Sequence, residues 1–90
     1  MAQRYKRSEQ ALHSEVGRDV VALHIDRGQC YGMEEVTADV WRLLAEPSDL
    51  DTICGQLQEW YDVKPDVCRD DIATLLGQMH AEGLIEPIQD

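Results

Sequence analysis

Ninety residues with 43% hydrophobic content suit one small domain, near the lower end of what buries a self-sufficient core, and leave little room for an enclosed active site. Eighteen acidic against eight basic residues give a formal charge of -10, a surface that repels phosphate backbones and attracts cationic peptides. Cys30, Cys54 and Cys68 are odd in number and widely spaced, which argues against a disulfide framework and for reduced thiols in the cytoplasm; no signal-peptide pattern or bilayer-length apolar run contradicts this.

Residues 1–10 are polar, carry Arg4, Lys6 and Arg7, and are expected to form a flexible arm, leaving 11–90 as a single domain. Ala11 to Val16 reads as a short strand, turned by Gly17-Arg18 into a second strand over Asp19 to Asp26. There Val21, Leu23 and Ile25 alternate with Val20, Ala22 and His24, the period-two pattern of a half-buried strand. Asp26-Arg27-Gly28 makes a hairpin turn, and a third strand over Gln29 to Glu34 follows. It places Tyr31 and Met33 on one face and Cys30, Gly32 and Glu34 on the other.

Val36, Val40, Leu43 and Leu44 recur at helical spacing, with Thr37 as a candidate cap and Pro47 as the stop. Ser48-Asp49-Leu50-Asp51 resembles a capping box and opens a second helix, whose stripe is Leu50, Ile53, Cys54, Leu57 and Trp60 or Tyr61. Pro65 opens a third helix with the stripe Cys68, Ile72, Leu75, Leu76 and Met79, closed by Gly83 as a left-handed cap, after which Leu84-Ile85 packs back and 86–90 frays. Trp41 and Trp60 read as core residues, and Gly77, unfavourable inside a helix, suggests close packing against a neighbour. The fold class is therefore α+β and winged-helix-like, a three-stranded antiparallel sheet followed by three helices.

With Tyr31-Gly32-Met33-Glu34, then Val40-Trp41-Arg42-Leu43-Leu44, then Tyr61-Asp62-Val63, then Asp71-Ile72 through Leu75-Leu76 and Met79 to Gly83-Leu84-Ile85, the chain resembles the PqqD-like family, also called RiPP recognition elements, over roughly residues 11 to 85. The resemblance implies three antiparallel strands and three helices. It also implies a non-catalytic protein to which the leader segment of a ribosomally made precursor peptide adds as a further strand, beside the third strand and against the third helix. A freestanding copy of this size looks most like the recognition protein of lasso-peptide pathways, which hands the precursor to a leader peptidase and an ATP-dependent cyclase. Similar freestanding copies serve pyrroloquinoline quinone synthesis.

Strand addition needs an edge with unpaired amide and carbonyl groups, and side-chain pockets then supply specificity. The candidate peptide-binding residues are accordingly Gln29, Cys30, Tyr31, Gly32, Met33 and Glu34 on the third strand. On the third helix they are Asp70, Asp71, Thr74, Leu75 and Gln78, the flank opposite Arg69, Ala73 and His80. The same features have plainer readings: Tyr31, Met33 and Leu75 as core, Asp70-Asp71 as a solvated start of a helix. His13, His24 and His80 lack metal-ligand spacing, no phosphate loop is present, and neither cofactor nor membrane partner is expected. Two other functions compete. A winged-helix DNA regulator would read DNA with the third helix, but 65–82 sets Arg69 alone against Asp66, Asp70, Asp71 and Glu82, so nucleic acid is disfavoured. A small acidic adaptor would use the open strand edge to pair with another protein, or with a second copy as a homodimer.

Overall fold

The computed structural model describes residues 3–88. Its elements run β1 (Arg4–Arg7), β2 (Ala11–Val16), β3 (Asp19–His24), β4 (Gln29–Met33), α1 (Glu35–Leu43), β5 (Ser48–Asp49), α2 (Leu50–Trp60), α3 (Pro65–Ala81) and β6 (Ile85–Pro87). The expected α+β architecture is present: β2, β3 and β4 form an antiparallel sheet in that order, and three helices follow it. A second sheet, ordered β5-β1-β6, was not foreseen.

Register decides which face of the first sheet is the core. Val20 lies opposite Met33, Ala22 opposite Tyr31, and His24 opposite Gln29. Because neighbouring residues across a ladder point to the same side, Val20, Ala22, His24, Tyr31 and Met33 share one face. Val20 and Ala22 are fully buried on it. The other face carries Leu12 opposite Leu23 and Leu23 opposite Cys30, all exposed. Beneath the buried face lie Trp41, Leu44, Ile53, Leu57, Leu76 and Ile85, each almost wholly buried.

The expectation of a flexible arm over 1–10 is corrected. Arg4–Arg7 is the central strand of the second sheet, pairing Tyr5 with Ser48 on one side and Lys6 with Glu86 on the other. Tyr5 packs on the core and Arg7 lays its guanidinium 4.7 Å from the centre of the Trp41 ring, donating to the Trp41 carbonyl at 2.6 and 3.1 Å. A basic residue used as an inward-facing group has no hydrophobic signature, so the period-two pattern is invisible in the sequence. Met1 and Ala2 lie outside the described residues. The C-terminal segment differs likewise: Glu86 and Pro87 are in β6, and 89–90 lie outside the described residues.

The helix ends refine the expected caps. α1 starts at Glu35, before Thr37, so Thr37 is a helical residue free to face outward from the first turn. α2 is capped by Asp49, whose side chain accepts from the Thr52 N–H at 2.8 Å, while Ser48 pairs in β5. That N–H holds the Asp49 carboxyl below its usual value. α3 begins with Pro65 in its first turn and ends as expected, with Gly83 at φ +76 and the Leu84 N–H bonded to the Met79 carbonyl at 3.0 Å.

Two side-chain expectations fail. Trp60 is 54% exposed, because it is the last residue of α2, and it is Tyr61, the C-cap, that turns inward and donates to Asp39. Gly77 does not serve close packing: a Cβ there would meet nothing within 4 Å, and the residue is exposed. With no steric reason for glycine, Gly77→Ala should stabilise the domain by about 1 kcal/mol through helix propensity alone. Equilibrium urea unfolding measures this, and an unchanged or lowered midpoint would refute it.

Candidate functional site

β4 is an edge strand of its sheet: it pairs with β3 on one side, and among the described residues no strand lies on the other. Edge strands expose unpaired backbone donors and acceptors, the element that strand addition requires. Alongside this edge runs a groove of about 140 Å³, lined by Tyr31, Gly32 and Met33 of β4, Thr37 of α1, Gln78 and Met79 of α3, and Glu82 and Leu84 just after it. The lining is chiefly apolar. Met33, Met79 and Leu84 are buried and form its floor, and two flexible thioethers suit a floor that must adapt to an occupant.

β4 enters the site straight from the hairpin turn and leaves it abruptly. Glu34 is still extended, at φ -124 and ψ 156, whereas Glu35 takes φ +48, the left-handed region uncommon for a residue with a side chain. This sharp junction swings α1 under the sheet and brings Thr37 to the groove. At the opposite end Tyr31 donates to Glu82 at 2.7 Å, linking the β4 wall to the end of α3. The hydrogen bond to Glu82 accordingly holds the Tyr31 phenol above its ordinary value. Arg27, in the hairpin turn, lies 3.9 Å from the same carboxylate and donates to the Ala81 carbonyl at 3.2 Å.

Of the residues singled out in the sequence, the structure gathers Tyr31, Gly32, Met33 and Gln78 into the groove. Gln29 and Cys30 continue the same strand edge, and Glu34 ends it; all three are exposed. Cys30 points to the outer sheet face, away from α3. Leu75 is half-buried and packs on the core. Asp70, Asp71 and Thr74 are exposed and do not line the groove, and the Thr74 hydroxyl donates back to the Asp70 carbonyl at 3.1 Å. The far flank of α3 is turned elsewhere: Arg69 pairs with Asp51, and both line a different depression with Tyr5 and Ala73. Thr37, Met79, Glu82 and Leu84 were not singled out as groove residues. A helix-period count assigns Met79 to the core, Leu84 is expected to pack back after the Gly83 cap, and nothing local brings Thr37 or Glu82 to β4.

Two further depressions, both larger than the groove, lie away from β4. One of about 470 Å³ lies between Leu43, Pro47 and the outer side of α2. The other, of about 600 Å³, is lined by Arg18, Asp19, Glu34, Glu35, Asp39, Arg42 and Tyr61, of which Arg42, Asp39 and Tyr61 are held in hydrogen bonds. In it Arg42 donates to Glu15, Asp39 and the Arg18 carbonyl, and Tyr61 to Asp39. Neither depression is lined by β4, whose free edge the groove follows.

The thiols divide by environment. Cys54 and Cys68 are buried where α2 meets α3, and burial, with the Cys68 thiol beside it, pushes the Cys54 thiol up to about 12. Cys30 is exposed. Since the thiolate is the nucleophile, iodoacetamide at pH 8 should alkylate Cys30 in the native protein and all three cysteines in denaturant. Intact-mass spectrometry reads the adducts, and fast native modification of Cys54 would contradict the packing described.

An α+β domain with an open edge strand and an apolar groove against a helix defines the class of small peptide-recognition modules. Solved structures of similar fold include TbiB1 in complex with the TbiA(beta) leader peptide, at 25% sequence identity and a TM-score of 0.87, covering 94% of this chain and 99% of that one. Another is a lasso peptide synthetase B1 complexed with the leader peptide, at 17% identity and a TM-score of 0.82, covering 92% of this chain and 98% of that one, a likeness of fold alone. Comparison with curated protein sequences finds no match. Residues 19–85 match the family described as coenzyme PQQ synthesis protein D, and the chain belongs to this PqqD family.

Proposed function

We propose that this protein is a recognition protein without catalytic activity of its own, which binds the leader segment of a ribosomally made precursor peptide of lasso type. The leader adds as a strand along β4 and rests on α3, and the bound precursor is presented in the cytoplasm to a leader peptidase and an ATP-dependent cyclase. The observation that carries the reading is the apolar groove running beside the unpaired edge of β4. Main-chain pairing supplies affinity there, and the Met33, Met79 and Leu84 floor selects an apolar anchor. Support also comes from the TbiB1 structure, which holds a leader peptide.

A recognition protein must also meet its partner enzyme without releasing its cargo. The outer sheet face offers a surface for this: Leu12, Val21 and Leu23 are 56%, 39% and 37% exposed and share the face opposite Val20 and Ala22. An exposed apolar sheet face of this kind suits a protein contact. A second copy pairing through the β4 edge would instead compete with the leader.

The test is a fluorescence-anisotropy titration against labelled fragments tiled across the precursor encoded beside this gene, with a random DNA duplex as control. Saturable binding of one fragment and none of the duplex is expected. If no fragment binds, the reading fails. Leu23→Lys should leave leader affinity within about twofold while abolishing stimulation of the leader peptidase, since a lysine at the centre of an apolar contact is desolvated without a partner. Undiminished peptidase stimulation would exclude this face.

A further inference from the structure

The Tyr31 hydroxyl lies 2.7 Å from Glu82 Oε2 and 2.7 Å from the Gln29 side-chain oxygen position. A phenol has one proton to give, and a carboxylate can only accept. Gln29 Oε1 and Glu82 Oε2 are therefore both in reach of one proton, and the charged Glu82 carboxylate is the stronger acceptor of the two. The result is a hydrogen-bonded chain of Gln29, Tyr31 and Glu82, with the phenol between its two acceptors. It joins β4 to the end of α3 across one end of the groove.

In the free protein this chain is open to water, the Glu82 side chain being 48% exposed, so the fold gains little from it. A peptide lying in the groove changes its value. Once covered, the Glu82 carboxylate loses its water, and an unpaired carboxylate there would oppose binding. Arg27 at 3.9 Å is too distant to replace the phenol as a hydrogen-bond donor without moving.

We propose that Tyr31 and Glu82 form a clasp whose role is to keep the groove's carboxylate hydrogen-bonded while a leader strand covers it, which makes Tyr31 a positioning residue for recognition. This rests on the leader-binding function proposed above. The clasp acts only in the complex, where the same bond that is nearly neutral for folding becomes the condition for burying Glu82.

The experiment uses the precursor fragment that binds the unaltered protein, titrated against Tyr31→Phe, Glu82→Ala and the double variant, with thermal melts of all four. Tyr31→Phe is expected to bind roughly tenfold to a hundredfold more weakly, the loss that follows from leaving a covered carboxylate without its hydrogen-bond donor and with Arg27 alone at 3.9 Å. Its melting temperature should stay within about 2 °C. Glu82→Ala should lose only a few-fold, and the double variant should recover to the affinity of Glu82→Ala, because the orphaned carboxylate is gone. That recovery is the signature, since a residue with a merely structural role gives no gain when a second group is removed. Unchanged binding by Tyr31→Phe, or a double variant as weak as Tyr31→Phe, would overturn the clasp. If the unaltered protein binds no fragment, the proposed function falls and the clasp with it.

Discussion

Trp41→Ala should remove about 3–5 kcal/mol of folding stability, the range for truncating a buried aromatic side chain. A domain of this size has roughly 5–15 kcal/mol in all, so the variant is expected near the edge of folding. The ring is fully buried, and it is also the point where three segments meet. Arg7 of β1 lies over its face, and His13 of β2 meets it edge-on, with ring centres 5.7 Å apart and planes at 77°. Burial lowers the Arg7 pKa, with Glu15 opposing that shift; without the ring, Arg7 would face a cavity. Urea unfolding should show a midpoint lower by more than about 1 M at unchanged slope. Trp41→Phe, which keeps an aromatic face for Arg7, should lose less than half as much. A Trp41→Ala loss under about 1 kcal/mol would mean that the ring does not organise the core.

The second large effect is expected at Gly83. Its φ of +76 already disfavours a side chain by about 1–2 kcal/mol. A Cβ there would also sit 2.8 Å from His24 Nε2 and 3.0 Å from His24 Cδ2. His24 cannot swing away freely, because it is buried and its Nδ1 accepts the Arg27 N–H at 3.2 Å. Gly83→Ala should therefore cost about 2–4 kcal/mol, backbone strain and overpacking together. Because Glu82 and Leu84 flank this turn and line the groove, affinity for the leader should fall with stability. A double-mutant cycle with His24→Ala separates the two causes. The contact with His24 should account for part of the loss, and simple additivity would show that strain alone is responsible.

Much of the fold was legible because it is encoded locally. The hairpin of β3 and β4, the Pro65 start of α3 and the Gly83 stop are each marked by residues whose backbone preferences act over a few positions. β1 was not legible. Its alternation is Tyr5 and Arg7 inward against Arg4 and Lys6 outward, and only the presence of Trp41 makes an inward arginine favourable. The candidate site divides in the same way. The β4 edge from Gln29 to Glu34 was marked by its own strand pattern, whereas Thr37, Glu82 and Leu84 reach the groove from segments far apart in the chain.

The sequence alone specifies the strands β2 to β4, the three helices and their order, the two faces of each of those strands, and an acidic surface unsuited to phosphate. These follow from side-chain period, turn chemistry and charge, which need no knowledge of neighbours. It is the packing of the layers that turns Val20, Ala22 and His24, and not Val21, Leu23 and Ile25, to the core. Both sets have period two and apolar members, so the choice falls to which one meets Trp41 and the helices. The same packing put Met33, Met79 and Leu84 at the floor of one groove and set Glu82 within reach of Tyr31, because distance between residues remote in sequence is fixed by how the layers close on one another.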